Sequence, residues 1–342
     1  MRRWLGITLL LAGCGASKQT RQSGMPELFR ELETGLHFTH QSGASGKFYM
    51  TEIMGAGVAV LDYDNDGDLD VFCVQSIGES KLFRNEFVPS GTLRFTDVTS
   101  QSEISFRGYG MGVAAGDYNN DGFTDLLVTG YNARALYRNR GDGTFAPVAF
   151  PQPPGVWSTS GAFFDYDRDG RLDLVILSYV NFSEAANKSC QAPTGEPDYC
   201  TPRVYSPVSA RLYHNDGGGK FTDVTGRSGI NRALGPGLGV AAADLNDDGW
   251  PDLFVANDTA QNHIWINQRN GTFKEAGIES GAAYSEDGLA KAGMGVAVDD
   301  ADGDGKEDLF VVNLMREGAT LFRKDSITPQ GLPVFIDITR QS

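Results

Sequence analysis

The chain has 342 residues, a formal net charge of −15 and only four cysteines. Its acidity is unfavourable for contacts with nucleic-acid phosphates, so we expect no nucleic-acid partner. The 43 glycines and the lack of any long stretch with a 3.6-residue period exclude a helical solenoid.

The first residues have the layout of an export signal. Arg2 and Arg3 precede a short apolar run that ends at Cys14. The run is too short to span a bilayer, and its end resembles the lipobox of bacterial lipoproteins. We interpret 1–13 as a lipoprotein signal peptide, Cys14 as the lipidated residue and 14–34 as a flexible tether. The resemblance implies an exported protein of the bacterial outer membrane or cell surface, held by its lipid alone; a plain secretory signal with an incidental cysteine is the alternative.

From residue 62 onward the same nine-residue pattern occurs five times. Asp or Asn stands at positions 1, 3 and 5, Gly at position 6 and Asp at position 9. The copies begin at Asp62, Asp117, Asp165, Asp244 and Asp300, with spacings of 55, 48, 79 and 56 residues. Such spacings are typical of propellers and of arrays of small sheets.

The pattern has the ligands that Ca²⁺ requires of a short loop, because oxygen donors alternate and the Gly permits a sharp turn. An EF-hand differs, since its closing Glu comes at position 12 and helices flank the loop. We predict about five structural Ca²⁺ ions, bound by the side chains at positions 1, 3, 5 and 9 and by the backbone carbonyl at position 7. The predicted metal residues are Asp62, Asp64, Asp66, Asp68, Asp70, Asp117, Asn119, Asp121, Phe123, Asp125, Asp165, Asp167, Asp169, Arg171, Asp173, Asp244, Asn246, Asp248, Trp250, Asp252, Asp300, Asp302, Asp304, Lys306 and Asp308.

Each loop belongs to a longer repeat with four predicted strands. In the first unit an apolar strand at 58–61 enters the loop and an apolar run at 69–74 leaves it. A Leu-aromatic-Arg-Asn segment and a Phe-Thr-Asp-Val-Thr-like segment follow. The third strands are predicted at 82–85, 136–139, 212–215 and, in weaker form, 321–324, and closing strands at 95–99, 221–225 and 335–339. Because such a unit cannot bury both faces alone, the units are expected to stack face to face as blades of an all-β propeller.

The third unit is longer than the others. A proline-containing insertion, 178–208, carries Cys190 and Cys200 ten residues apart. In an exported protein with a long loop this spacing favours a disulfide, and a zinc site is the alternative. Cys73 lies in an apolar strand and is expected to be a buried thiol.

The chain resembles the FG-GAP/VCBS repeat family, and more closely the bacterial relatives of cartilage acidic protein, of the ASPIC/UnbV type; more distantly it resembles the integrin α head. Segments 55–67, 136–139, 157–170 and 255–259 carry the resemblance, which extends over 35–342. It implies calcium loops on a propeller that closes with about seven blades. This sequence departs from the family in having five loops and no recognisable ASPIC/UnbV segment.

One segment, 36–40, does not fit the count of four strands in each unit. Residues 36–40 have the position of a closing strand from a preceding unit, yet the fifth unit has its own closing strand at 335–339. Either the chain is the front part of a longer protein, or it forms an open arc or an irregular ring. With unit faces uncovered, we expect the isolated chain to associate.

The sequence carries no nucleophile-elbow or zincin motif, so we predict neither catalytic nor organic-cofactor residues. A rigid propeller with variable loops favours an adhesion or binding scaffold for an unknown protein or glycan. The alternative is an enzyme, a polysaccharide lyase or hydrolase built on a calcium-stabilised propeller, because a site on loops of several blades leaves no linear motif.

Overall fold

The structure is a computed structural model that describes residues 31–340. The chain divides into two compact units, Met1–Glu33 and Thr34–Ser342. Only 31–33 of the first unit are described, and they have no regular structure. All the strands reported below belong to the second unit.

Within the described residues, the second unit contains five four-stranded antiparallel sheets, each with its strands in chain order. The first sheet consists of β1 (Val58–Leu61), β2 (Asp70–Cys73), β3 (Lys81–Asn85) and β4 (Phe95–Asp97), and the second of β5 (Tyr109–Gly116), β6 (Asp125–Tyr131), β7 (Ala133–Asn139) and β8 (Phe145–Val148). The third consists of β9 (Ser158–Phe164), β10 (Asp173–Ser178), β13 (Arg211–Gly217) and β14 (Lys220–Asp223), with a separate hairpin of β11 (Cys190–Gln191) and β12 (Pro197–Asp198). The fourth consists of β15 (Gly237–Ala243), β16 (Asp252–Asn257), β17 (His263–Asn267) and β18 (Phe273–Glu275), and the fifth of β19 (Gly293–Asp299), β20 (Asp308–Asn313), β21 (Thr320–Ile327) and β22 (Pro333–Asp337).

Helices are single turns in the described part. The α-helical turns are α1 (Phe87–Ser90), α2 (Thr99–Ser102) and α3 (Thr225–Ser228), and the 3₁₀ turns are Met50–Ile53, Glu184–Ala186, Pro202–Val204 and Ile230–Arg232. The prediction of an all-β protein made of four-stranded propeller blades is therefore confirmed. Closing strands β8 and β18 also exist in the second and fourth sheets, where the sequence pattern named none.

The hydrophobic core lies between successive sheets. At the first interface Phe72 and Leu82 of the first sheet pack with Leu126, Val128 and Tyr137 of the second. At the last interface the fourth and fifth sheets form an equivalent cluster. Successive residues of one strand thus point alternately to the preceding sheet and to the following sheet. This explains why the second strands are apolar along their whole length.

The small residue five positions before each loop lies where innermost strands of neighbouring sheets meet. A Cβ atom added to Gly57 would lie 3.2 Å from Cα of Gly112, and one added to Gly239 would lie 3.2 Å from the carbonyl carbon of Gly295. At Gly295 itself no described atom lies within 4 Å of that position. The repeated Gly is therefore required where two backbones approach closely, and within 31–340 no neighbouring backbone approaches the Cβ position of Gly295 in this way.

The arc of sheets is open at the fifth sheet. Phe310, Val312 and Ile336 are 43%, 47% and 41% exposed, whereas Phe254 and Ala256, which correspond to Phe310 and Val312 in the fourth sheet, are fully buried. The fifth sheet thus has the apolar pattern of a blade that is buried on both faces, but among the described residues no sheet packs on this face.

Leu36–His40 was predicted to be an outer strand, and this is wrong. The segment forms no strand; instead Leu36 and Phe38 pack on the free face of the first sheet, against Val71, Cys73 and Phe83. The backbone of Phe95 donates to the carbonyl of Thr34 at one end of the segment, and Gln75 binds the backbone of Thr39 and Gln41 at the other. Covering an apolar face buries more surface than pairing at one edge, which accounts for the arrangement.

The exposed face of the fifth sheet leads to a prediction about association. We expect the purified chain to self-associate at micromolar concentration, and the double substitution Phe310→Glu and Val312→Lys to reduce association, because charges on both residues make burial of the face unfavourable. Light scattering after size exclusion measures the mass. An unchanged oligomer in the double variant would contradict the prediction; Val60→Lys, at an exposed apolar position of β1 in the first sheet, is the control.

The insertion, 178–208, lies at the end of the third sheet opposite the nine-residue loop of that sheet. Cys190 and Cys200 form a disulfide there. Phe182 and Tyr205 of the insertion pack with Met50 and Trp157 in a buried aromatic cluster. The hydroxyl of Tyr199 donates to Oε2 of Glu52 at 3.0 Å. The disulfide thus closes the insertion on itself, while apolar contacts and a hydrogen bond to the Glu52 carboxylate hold the insertion against 48–54.

His263 in β17 gives a prediction on acid stability. The side chain is 3% exposed, and burial lowers its pKa to about 4. The adjoining cavity is lined by apolar and uncharged polar residues, including Ser178 and Asn257. Because the unfolded chain takes up a proton near pH 6.5 and the folded chain does not, His263 contributes stability above that pH that is lost progressively down to about pH 4.

We expect His263→Gln to flatten the decline of unfolding free energy between pH 6.5 and 4 by about 2–3 kcal/mol relative to the parent chain. Urea denaturation at a series of pH values measures this. Identical pH profiles for the two proteins would show that His263 does not cause the loss of unfolding free energy at acid pH.

Candidate metal centres

Each nine-residue pattern forms the turn between the first two strands of a sheet. Gly at position 6 has φ of 83° to 94° in the five copies, as the sharp turn requires. Position 4 is also left-handed, which the sequence reasoning did not anticipate: φ is 57° at Asn65, 58° at Asn120, 59° at Arg168, 58° at Asp247 and 80° at Gly303. Two left-handed residues wrap the chain around the carboxylates of positions 1, 3 and 5.

The first Asp of each loop fixes this turn. In the first copy Oδ1 of Asp62 accepts the backbone N–H of Asp66 at 3.1 Å, and Oδ2 accepts that of Gly67 at 3.0 Å. The equivalent pair of bonds exists in the other four loops. Position 5 then accepts from the backbone of position 7 in every loop, as Asp66 does from Asp68 at 2.9 Å. The carboxylates are therefore oriented by backbone donors.

The ligand atoms converge as predicted for positions 1, 3 and 5. In the first, third and fifth loops these three carboxylates each offer one oxygen within 4.8 Å of the others. In the second and fourth loops position 3 is an amide, Asn119 or Asn246. Four ligand oxygens are buried and have no hydrogen-bond partner: Oδ1 of Asp64, Asp167 and Asn246 at position 3, and Oδ2 of Asp252 at position 9. Because a buried acceptor without a donor costs free energy, these atoms fit a bound cation.

The closing Asp at position 9 lies deeper than the others and is at most 2% exposed in all five loops. In the first loop Oδ2 of Asp70 accepts from the backbone of Tyr63 at 3.0 Å, and Oδ1 accepts from that of Asn85 at 2.8 Å. Burial raises the pKa of Asp70, Asp125, Asp173 and Asp252 to about 7. Without a cation, the negative form of this carboxyl is therefore unfavourable at neutral pH, and a divalent ion would favour it.

At position 7 the predicted ligand is the backbone carbonyl, and the side chains have other partners. The carboxylate of Asp68 accepts from the backbone of Val88, and Arg171 pairs with Asp169. Lys306 pairs with Asp304 at 2.7 Å, and Arg168 lies over the ring of Trp250 with its guanidinium carbon 5.5 Å from the ring centroid. In the third and fifth loops the basic side chain at position 7 thus lies beside the carboxylate at position 5, and in the fourth loop Arg269 pairs with that carboxylate, Asp248, at 2.8 Å.

The Asn that ends the third strand has a second function in the repeat, which the sequence did not lead us to predict. Asn139 accepts the backbone N–H of Gly141 through Oδ1 and donates through Nδ2 to the carbonyl of Thr124 in its own loop at 3.2 Å. The same Nδ2 also donates to the carbonyl of Tyr63 in the preceding loop at 2.7 Å. Asn215 and Asn267 make the same bonds to Tyr118 and Tyr166.

These three Asn residues join the second, third and fourth acidic loops to the loop before each. Asn85 of the first sheet bonds within its own sheet, to the carbonyl of Leu69 at 3.2 Å, and among the described residues no hydrogen bond joins it to another sheet. In the fifth sheet Lys324 replaces the Asn; its ammonium group is fully buried and lies 2.6 Å from Oδ1 of Asp247 in the fourth loop. The Leu-aromatic-Arg-Asn motif is the signal from which this role could have been inferred.

Other predicted residues are distributed as follows. Cys14, with the signal peptide and most of the tether, lies outside the described residues. Cys73 is buried, and burial raises the pKa of its thiol to about 11. Among residues 31–340, no helix is long and apolar enough to span a membrane.

The comparisons with known proteins agree with this architecture. The model of the FG-GAP-like repeat matches 62–128, 117–176, 195–255 and 244–311. Cartilage acidic protein 1 of Xenopus tropicalis is 26% identical over 280 residues, which cover 72% of this chain and 43% of that protein. The human protein is 25% identical over 279 residues, covering 75% of this chain and 37% of its own length. The chain thus spans less than half the length of these curated relatives.

Among solved structures, an Agrocybe aegerita lectin that recognises non-reducing terminal N-acetylglucosamine is similar at a TM-score of 0.46 and 19% identity, over 82% of this chain and 65% of the lectin. The family assignment rests on the repeat match and on the four-stranded sheets with their acidic loops. On these grounds the chain belongs to the family of FG-GAP-like repeat proteins, and within it is related to cartilage acidic protein 1.

Proposed function

We propose that the chain is an exported, lipid-anchored scaffold that binds a protein or glycan ligand and whose fold is stabilised by Ca²⁺ ions in the five loops. The calcium part of the proposal rests on the ligand oxygens of the loops. The carboxylates lie close together, backbone donors orient them, and several of the ligand oxygens are buried without a hydrogen-bond donor. Ca²⁺ accepts six to eight oxygen ligands with flexible geometry, which suits loops of mixed carboxylate, amide and backbone donors.

Calcium here has a structural rather than a catalytic role. Each loop joins the first two strands of a sheet, and in the first three loops the Asn of the next sheet binds the loop backbone. An ion that orders one loop therefore also orders the contact to the following sheet. Repulsion among the loop carboxylates, which would oppose this order, is offset by the cation.

The proposed ligand surface is the end of the sheets opposite the calcium loops. There the disulfide-linked insertion, 178–208, borders a groove of about 370 Å³ lined by residues that include Asn181, Ser206 and Leu234. Leu234 is 55% exposed. A rigidly held loop that interrupts the repeat, with apolar and amide groups in one concavity, is typical of a binding site on a rigid scaffold.

A glycan array and a panel of soluble polysaccharides test this proposal, each with 5 mM CaCl₂ and with excess chelator. We expect calcium-dependent capture without release of product. The variants Asn181→Ala and Leu234→Asp should lose capture while retaining the melting temperature of the parent chain. Val60→Lys, at an exposed position of β1 outside the metal loop, is the matched surface control. Release of oligosaccharides would instead identify an enzyme, a lyase or hydrolase. Capture that is unchanged by both groove variants would exclude this groove as the ligand site.

A further inference from the structure

The third sheet differs from the others beside its calcium loop. His214 stands directly before the Asn of the third strand, where the first, second and fifth sheets have Arg84, Arg138 and Arg323. In the first sheet that Arg pairs with Glu86, at 2.7 Å from its terminal nitrogen. His214 is shorter and its ring lies against the loop itself.

The imidazole of His214 meets two loop carboxylates. Its Nδ1 is 3.2 Å from Oδ1 of Asp173 and 3.4 Å from Oδ2 of Asp167, and its Nε2 is 3.7 Å from Oδ1 of Asp216. Nδ1 is buried and has no hydrogen-bond partner, and the other oxygen of Asp167 is also buried without one. Asp173 is fully buried.

These three side chains form a donor set that differs from that of a calcium loop. One nitrogen and two carboxylate oxygens lie within 4.8 Å of one another. Metal–ligand distances of about 2.0–2.1 Å at a tetrahedral angle place ligand atoms about 3.3 Å apart, which agrees with the separations from Nδ1. Imidazole suits Zn²⁺ and related transition ions, whereas Ca²⁺ prefers oxygen.

We propose that Asp167, Asp173 and His214 bind a divalent transition-metal ion, with Zn²⁺ as the representative, through Nδ1 of the neutral imidazole. Asp216 then lies on the Nε2 side of the ring at 3.7 Å, so that its negative charge faces the edge of the imidazole away from the metal. Because Asp167 and Asp173 also belong to the third calcium loop, the ion competes with Ca²⁺ at that loop and leaves the other four unaffected. Only this competition depends on the proposed calcium function; the binding of zinc itself does not.

Equilibrium dialysis of the full chain against ZnCl₂, with metal content measured by mass spectrometry, tests the site. The parent chain should bind one Zn²⁺ more than His214→Gln and His214→Arg, or bind it at least about tenfold more tightly. His214→Arg places in the third sheet the residue found in the first two and keeps the position filled if the Gln variant does not fold. His263→Gln, which changes a histidine outside this cluster, is the control and should bind zinc like the parent.

Two further readouts separate this site from the calcium function. With Co²⁺ as the probe, visible absorption should report a nitrogen and oxygen environment in the parent and not in His214→Arg. Saturating Zn²⁺ should displace one Ca²⁺ equivalent from the parent and none from that variant. Equal zinc binding by the parent and both His214 variants, or no zinc binding by the parent, would overturn the proposal even if all five loops bind calcium. Conversely, loss of calcium binding at the other loops would leave the zinc result intact.

Discussion

Removing Ca²⁺ should lower the melting temperature of the chain by more than about 10 °C at pH 7.5. Extracellular calcium modules bind with Kd on the order of 10⁻⁴ to 10⁻³ M, so 10 mM Ca²⁺ contributes about 1.4–2.7 kcal/mol for each occupied site. Five such sites, at about 2–4 °C per kcal/mol for a chain of this size, account for the shift. The physical cause is the buried closing carboxylates, whose pKa is raised to about 7 by burial in four of the five loops.

Differential scanning calorimetry with 10 mM CaCl₂ and with excess chelator measures this shift. Mg²⁺ at the same concentration is the control, because it dehydrates reluctantly and requires near-octahedral geometry; it should restore only a small part of the loss. A melting temperature that does not change on chelation would mean that the loops are folded without ions.

Asn139→Ala should destabilise the chain by about 3–4 kcal/mol, and Asn85→Ala by about 1–2 kcal/mol. Both substitutions remove side-chain bonds within a sheet, but Asn139 also holds the carbonyl of Tyr63 in the preceding loop at 2.7 Å. Asn139 is fully buried, so its loss leaves three backbone groups without that partner. A buried group left unpaired costs about 1–3 kcal/mol, which is the expected difference between the two variants.

Asn85 provides a matched control, since it belongs to the same motif and has the same bonds within its sheet. Urea denaturation in saturating Ca²⁺ compares the two. If both variants lose the same free energy, the bond between neighbouring loops does not contribute to stability.

Much of the fold could be predicted because the repeat fixes both strand position and burial. The loops mark where each first strand ends and each second strand begins, so β1 and β2 fall where the pattern predicts them. Four strands were predicted for every unit, but the closing strands β8 and β18 lack the Phe-Thr-Asp-Val-Thr pattern, so no bounds could be predicted for them. Their pairing is determined by the neighbouring strand rather than by their own residues.

The segment 36–40 was misassigned because an alternating apolar pattern describes a chain that covers a sheet face as well as it describes a strand. Within the sites, the ligand types at positions 1, 3, 5 and 9 can be read from the sequence. Contacts between sheets cannot, because Asn139 and Tyr63 are far apart in the chain. The proximity of His214 to Asp167 and Asp173 required the register of β10 and β13.

The number of Ca²⁺ ions bound by zinc-free protein is the measurement that tests the central claim most directly. Equilibrium dialysis with metal analysis should give about five ions for the parent chain and one fewer for Asp121→Ala, which removes a carboxylate from the second loop. Asp142→Ala, in an exposed turn of the same sheet, should retain the full number. A parent chain that binds no Ca²⁺ at millimolar concentration, or an Asp121→Ala variant that binds as many ions as the parent, would contradict the account.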